Sequence, residues 1–195
     1  MAEGFPAGRA RGVRVVVFDV DGVLTDNGVY LGATASGERV ELKKFHIQDG
    51  LGLKMLQWAG LRVALVSGRE SPATTLRAEE LGVEARQVAG GYKIDVVGSV
   101  LEEAGADWDQ LAVVGDDLAD LPVLLRAGLP IAVRNAVAEL RAAALWTTSR
   151  VGGDGAVREV AEAVLRARGE WAGLVTAYRR SREEGGDVTD YLESP

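Results

Sequence analysis

The chain has no cysteine and a single histidine in 195 residues. Disulfides and thiolate metal sites are excluded, although a cysteine count of zero fixes no compartment. Long basic runs are also missing. Lys plus Arg number 22 against 29 Asp plus Glu, for a net charge of −7. So acidic a chain is a poor partner for nucleic acid or an anionic membrane. No apolar stretch approaches the roughly 20 residues of a membrane span. The opening MAEGFPAGRARG lacks the apolar centre of a secretory signal. It reads as a disordered leader over residues 1–12, and the protein reads as cytoplasmic. What is present is ordinary globular material, 47% hydrophobic and 26% charged, at a length that suits one domain.

Apolar runs alternate with segments of helical period. Strands are predicted at Val13–Phe18, Leu61–Val66, Glu84–Val88, Leu111–Val114 and Leu129–Val133. Helices are predicted at Leu51–Ala59, Pro72–Leu81, Ile94–Ala104, Leu121–Ala127, Val137–Ala143 and Ala156–Arg168. Ser71 followed by Pro72 marks one helix start, and Gly105 and Gly128 mark helix ends. Strands separated by helices imply βαβ units. The fold class is therefore α/β, a three-layer, doubly wound, mainly parallel sheet. One domain is expected over residues 13–168, with a C-terminal helix and mobile tail over 169–195.

Asn27 to Phe45 breaks the rhythm. Asn-Gly, alternating Val29 and Leu31, a turn near Gly37, then Val40 and Leu42 read as a β-hairpin. It follows directly on an acidic strand end, as a flap or an oligomer contact would.

In open α/β sheets ligands sit beyond the carboxyl ends of the strands. The first strand, VVVF, runs into Asp19, Val20 and Asp21; LRVALV runs into Ser67, Gly68 and Arg69; LAVV runs into Gly115, Asp116 and Asp117, with Asp120 beyond. Lys93 opens a helix on the same rim. Asp19, Asp21 and Asp116 repel one another unless a cation intervenes. Hard oxygen donors with no His or Cys near them in sequence suit Mg²⁺, which favours phosphate as a further partner. Ser67 and Lys93 suit a phosphoryl group, as hydroxyl donor and mobile charge. An aspartate can then act as nucleophile and a second acid as proton donor. Singly, each motif is weak. Asp120, ahead of Leu121-Pro122, reads on its local sequence as a helix N-cap. The order of the motifs at successive strand ends is the stronger signal.

FDVDGVLTDN, KKFHIQDGLG, VSGRES, VGDDLADLPVL and GGDGAVREV together resemble the haloacid dehalogenase superfamily. Within it they are similar to the 3-deoxy-manno-octulosonate 8-phosphate phosphatase group, from about Val13 to Leu165. The resemblance implies Asp19 as nucleophile and Mg²⁺ ligand. It implies Asp21 as general acid/base, with its backbone carbonyl on the metal. It implies Ser67 and Lys93 on the phosphoryl group, with Gly68 beside them. Asp116 would be the third metal residue, with Asp117 and Asp120 close behind. Arg69 would meet the sugar acid, and favours the octulosonate over a nonulosonate 9-phosphate or another sugar phosphate. The segments Asp21–Ser67 and Ser67–Lys93 are too short for a cap domain. The group closes its sites instead through hairpin-built homotetramers, which makes the hairpin and Gly152–Arg158 candidates for that task. A phosphomutase and a phosphorylated receiver module are the competing readings. The missing cap opposes the first, and the order of Ser67, Lys93 and Asp116 opposes the second. His46 reads as structural. Asp49 reads equally as a substrate contact or a cap, and Arg158 as a surface residue ahead of a substrate contact.

Overall fold

The computed structural model describes residues 3–90 and 92–192. A single helical turn, α1 (Ala7–Ala10), precedes β1 (Val15–Phe18). All four β1 side chains are buried, as a strand requires when helices cover both faces of its sheet. A tight turn over residues 20–24 leads into the hairpin of β2 (Tyr30–Ala33) and β3 (Arg39–Leu42), with Tyr30 opposite Leu42. The remainder runs α2 (Ile47–Trp58), β4 (Arg62–Ser67), α3 (Pro72–Leu81), β5 (Glu84–Gln87), α4 (Lys93–Glu103), β6 (Leu111–Gly115), α5 (Leu121–Leu124), β7 (Leu129–Ala132), α6 (Ala138–Ala143), β8 (Trp146–Thr147), α7 (Ala156–Arg168) and α8 (Trp171–Glu184).

The six-stranded sheet is parallel throughout, in the order β5-β4-β1-β6-β7-β8. Helices α2, α3 and α7 cover one face and α4, α5 and α6 the other. The three-layer, doubly wound class is the one expected. Ser71 caps α3 as its sequence suggests, accepting from the Thr74 amide at 3.3 Å. Among the described residues only the hairpin and α2 lie between β1 and β4, and no cap domain is present. No helix among them is long and apolar enough to cross a membrane.

The leader departs from the expectation of disorder. Phe5 is buried and meets Trp146 edge-to-face at 5.0 Å, and the Trp146 indole donates to the Glu3 carbonyl. Ala10 is fully buried, and Arg11 donates to the Ala167 carbonyl at the end of α7. The cause lies in β8, an edge strand too short to stand out in the sequence; its Trp146 needs cover, and Phe5 supplies it. Phe5→Ala should therefore destabilise the protein by about 2 kcal/mol in urea unfolding. At the other end, α8 forms where a helix was expected. Within the tail expected to be mobile, residues 185–192 turn back on α8. Val188 is buried there, and the Tyr191 hydroxyl donates to the Gly185 carbonyl at 2.6 Å. Residues 193–195 lie outside the described residues.

Candidate active site

The chain winds from β1 outward to β5, then restarts at β6 on the other side of β1. The switch point thus lies between β1 and β6, where a crevice opens beyond the strand ends. Phe18 pairs with Leu65 on one side and Val114 on the other, so Asp19, Ser67 and Asp116 emerge side by side. There Asp19 and Asp116 border a cavity of about 210 Å³, lined also by Asp21, Asn27, Gly68, Arg69, Lys93, Asp117, Ala119 and Asp120.

Lys93, the first residue of α4, is the hub. Its ammonium donates to Asp19 Oδ1 at 2.5 Å and to Asp120 Oδ1 at 2.6 Å, and all three side chains are buried. Asp19, Asp116 and Asp120 each bring a carboxylate oxygen within 4.8 Å of the others. Burial, then the charge of Asp120, pushes Asp19 well above the usual carboxylate range, with Lys93 opposing. Burial, then Asp120 and Asp117, pushes Asp116 up to about 7. Burial alone would lower Lys93, but Asp19 and Asp120 outweigh it and hold the lysine above its ordinary value. Both partners of the Asp19–Lys93 pair are thus shifted upward, which one ion pair alone would not do. The lysine stays charged, and the excess lies with the acids. Fully ionised, three carboxylates against one ammonium would leave a charge near −2, and the upward shifts of Asp19 and Asp116 show how strongly a buried cluster of oxygen donors opposes that charge. That donor set and that charge fit a hard divalent cation.

The turn after β1 is built around these acids. Gly22 has φ +97°, and a Cβ on it would lie 2.0 Å from Asp116 Oδ2. The Asp116 carboxylate therefore lies directly over the glycine. Gly22→Ala is expected to lower turnover by more than about 100-fold, since it strains the backbone and displaces that carboxylate; the assay is phosphate release with Mg²⁺ titrated. Asn135 ties the rear of the same turn. It donates to the Gly22 carbonyl at 3.2 Å and accepts from the Gly152 amide at 2.7 Å.

The expected residues converge, with differences of detail. Asp19, Asp21, Gly68, Arg69, Lys93, Asp116, Asp117 and Asp120 all line the cavity. Ser67 stands at the right strand end, but its hydroxyl donates to the Arg69 carbonyl and accepts from the Arg69 amide, so it faces its own loop. Asp120 is no simple cap of α5. Its Oδ2 accepts from the Asp116 and Asp117 amides while its Oδ1 holds Lys93. The Arg69 guanidinium grips Glu41 of the hairpin, at 2.8 Å for the shorter contact. The Ser71 hydroxyl, then Arg69, holds Glu41 below its ordinary value against some burial. Asp49 caps α7 rather than its own helix, accepting from the Gly155 and Arg158 amides. Arg158 pairs with Glu162 and lies over Trp171. His46 precedes α2, with Nε2 4.0 Å from an Asp154 oxygen.

Three contributors were not legible in the sequence. Asn27, at φ +68°, donates to Asp116 Oδ2 at 3.5 Å. Asn-Gly signals a turn, and nothing in it announces a site residue. Glu41 and Lys43 reach the site only because the hairpin folds back over α3. Their one local signal is position, alternating on a strand with Val40 and Leu42.

Strand-end carboxylates joined by a lysine at the switch point of a doubly wound sheet define a haloacid dehalogenase-like hydrolase, and the family profile of that description matches residues 87–160. The 3-deoxy-D-manno-octulosonate 8-phosphate phosphatase of Haemophilus influenzae is 37% identical over 165 residues, covering 85% of this chain and 89% of that protein. The Escherichia coli phosphatase of the same name is 36% identical over 162 residues, covering 83% and 84%. The Moraxella catarrhalis phosphatase of that name, solved with magnesium, phosphate and the octulosonate, superposes with a TM-score of 0.81 at 33% identity, covering 88% and 97%. A cobalt-bound Haemophilus influenzae structure gives 0.74 at 37%, covering 83% and 92%. The chain belongs to the 3-deoxy-D-manno-octulosonate 8-phosphate phosphatase family of these hydrolases.

Proposed function

We propose that the chain is a Mg²⁺-dependent phosphatase that hydrolyses 3-deoxy-D-manno-octulosonate 8-phosphate through a phosphorylated Asp19. The observation that carries this reading is the Lys93 bridge between Asp19 and Asp120, set beside Asp116 at the switch point. Asp19, Asp116 and the Asp21 carbonyl would hold the cation. Bound there, Mg²⁺ would offset the charge that gathers on the phosphoryl oxygens.

The remaining steps fall to the chain's own groups. An Asp19 carboxylate oxygen bonds to phosphorus as the bond from phosphorus to the sugar oxygen breaks, and Asp21 gives that oxygen its proton. Water then attacks the phosphorus of the aspartyl-phosphate. The Asp19–phosphorus bond breaks, the water's proton passes to Asp21, and inorganic phosphate leaves. Lys93 and a rotated Ser67 hydroxyl hold the phosphoryl oxygens through both halves.

Arg69 on the cavity wall suits a carboxylate on the substrate. Its existing pair with Glu41 favours a second reading, a sugar phosphate with no carboxylate, which would leave that pair intact. Phosphate release measured across sugar-acid and hexose phosphates decides between them. A kcat/KM higher for the octulosonate phosphate supports the first, and one higher for hexose phosphates the second. Phosphorylated sugars do not cross a bilayer unaided, so a cytoplasmic site of action goes with either. The hairpin exposes Tyr30, Leu31 and Leu42 at 60–62%, which supports assembly through the hairpin into a homotetramer. Leu31→Asp is expected to reduce the mass seen by light scattering.

A further inference from the structure

We propose that Lys43, on the hairpin, is a positioning residue that orients the Asp21 carboxylate for proton transfer. The inference rests on the acid/base role given to Asp21 above. β3 presents Val40 and Leu42 outward, with Leu42 62% exposed. The intervening Glu41 and the next residue, Lys43, turn inward, and the Lys43 side chain is 0% exposed. Its ammonium lies 2.7 Å from Asp21 Oδ1 and donates to the Thr74 hydroxyl of α3 at 3.1 Å. Lys43 does not line the cavity, whereas Asp21 does. The lysine therefore stands behind the acid, out of reach of the reacting atoms.

Asp21 needs such a support. It sits at φ −80°, ψ 105°, off the end of β1 and just before the left-handed Gly22, so no ladder fixes its direction. Both carboxylate oxygens are buried, and neither accepts a hydrogen bond. The contact with Lys43 is an ion pair outside hydrogen-bond alignment, and it is the one charged contact within 4.0 Å on Asp21 among the described residues. A buried ammonium without its carboxylate is costly, so Lys43 holds to Asp21 rather than swinging free. Thr74 anchors the other side of the ammonium. The result is a rigid bracket from α3 through the hairpin to Asp21. A proton donor must stand within hydrogen-bond reach of the leaving oxygen, and small displacements there are expensive in rate.

The test separates the two halves of the reaction. p-Nitrophenolate departs without a proton, so its phosphate phosphorylates Asp19 with no help from Asp21. Hydrolysis of the resulting aspartyl-phosphate needs Asp21 as base whichever ester formed it. In the full chain with saturating Mg²⁺, Lys43→Met is expected to lower steady-state kcat about 30-fold on p-nitrophenyl phosphate with KM falling in parallel, and about 30-fold on the octulosonate phosphate with KM within about twofold, because there both steps need Asp21. Single-turnover release of p-nitrophenolate should stay within about threefold of the unaltered chain. Thr74→Val removes the anchor but keeps the ion pair, and should show the same pattern at about fivefold. A fall in single-turnover release that parallels kcat means a merely structural role and overturns the proposal. An unchanged kcat in both variants overturns it too. Asp19→Asn in the same assay keeps the two readings apart. Turnover by Asp19→Asn sinks the nucleophile assignment; an inactive Asp19→Asn beside a fully active Lys43→Met sinks only the role of Lys43.

Discussion

Asp19→Asn should lower phosphate release by more than about 10⁴-fold and, in the absence of metal, raise the thermal midpoint by about 3 °C at pH 8. The two effects share one cause. The amide keeps the shape of the carboxylate, and its oxygen can still accept from Lys93, so the sheet end and α4 stay joined. The atom proposed to bond to phosphorus loses its charge and nucleophilicity. One of three mutually repelling buried acids is also gone. Burial and Asp120 are what push Asp19 upward, and the neutral side chain relieves both. Enzymatic assay and calorimetry on one preparation check the pair. A more active variant, or a less stable one, would contradict the charge arrangement on which the site reading depends.

The second large effect is a pH dependence that Mg²⁺ removes. Asp116 ionises at about 7 in the fold, against 3.8 for the free side chain. Between those values the folded chain retains a proton that the unfolded chain has lost. Stability is then greatest at the lower end of that window, falls as pH rises through it, and levels off above about 7. The full shift is discounted for solvent screening and for coupling to Asp19, leaving about 2 kcal/mol. For a chain of this size that amounts to a midpoint lower by about 5 °C at pH 8 than at pH 5 in chelator. Carboxylates held low, such as Glu41, act in the opposite sense but only near and below their ordinary range, beneath this window. Saturating Mg²⁺ should abolish the slope, because a bound cation keeps Asp116 ionised in the fold. A metal-free midpoint that does not fall between pH 5 and 8 would show that the acids are not strained as described.

These effects involve residues that were legible before any tertiary contact was known. Asp19, Ser67 and Asp116 stand out because each ends an apolar strand, and strand ends in a parallel sheet share one rim. Lys93 was marked by its place at a helix start on that rim. Their partners were not marked. Asp120 has the local signature of a helix cap, yet it holds Lys93 and two loop amides. Asp49 begins one helix and caps another 106 residues away in the chain. Phe5 lies in a segment that reads as disordered and is ordered by Trp146, at the far edge of the sheet.

By itself the sequence determined five of the six parallel strands, the helices between them and the acids at their rim. Strand period, helix period and turn residues act over a few neighbours, and right-handed crossovers turn that local pattern into topology. Only the tertiary structure decided how those acids are charged and held. Burial and the distances among Asp19, Asp116, Asp120 and Lys93 set the ionisation of the group. The fold of the hairpin over α3 brought Lys43 to Asp21 and Glu41 to Arg69. Desolvation and Coulomb energy depend on separation in space, and separation along the chain does not specify it.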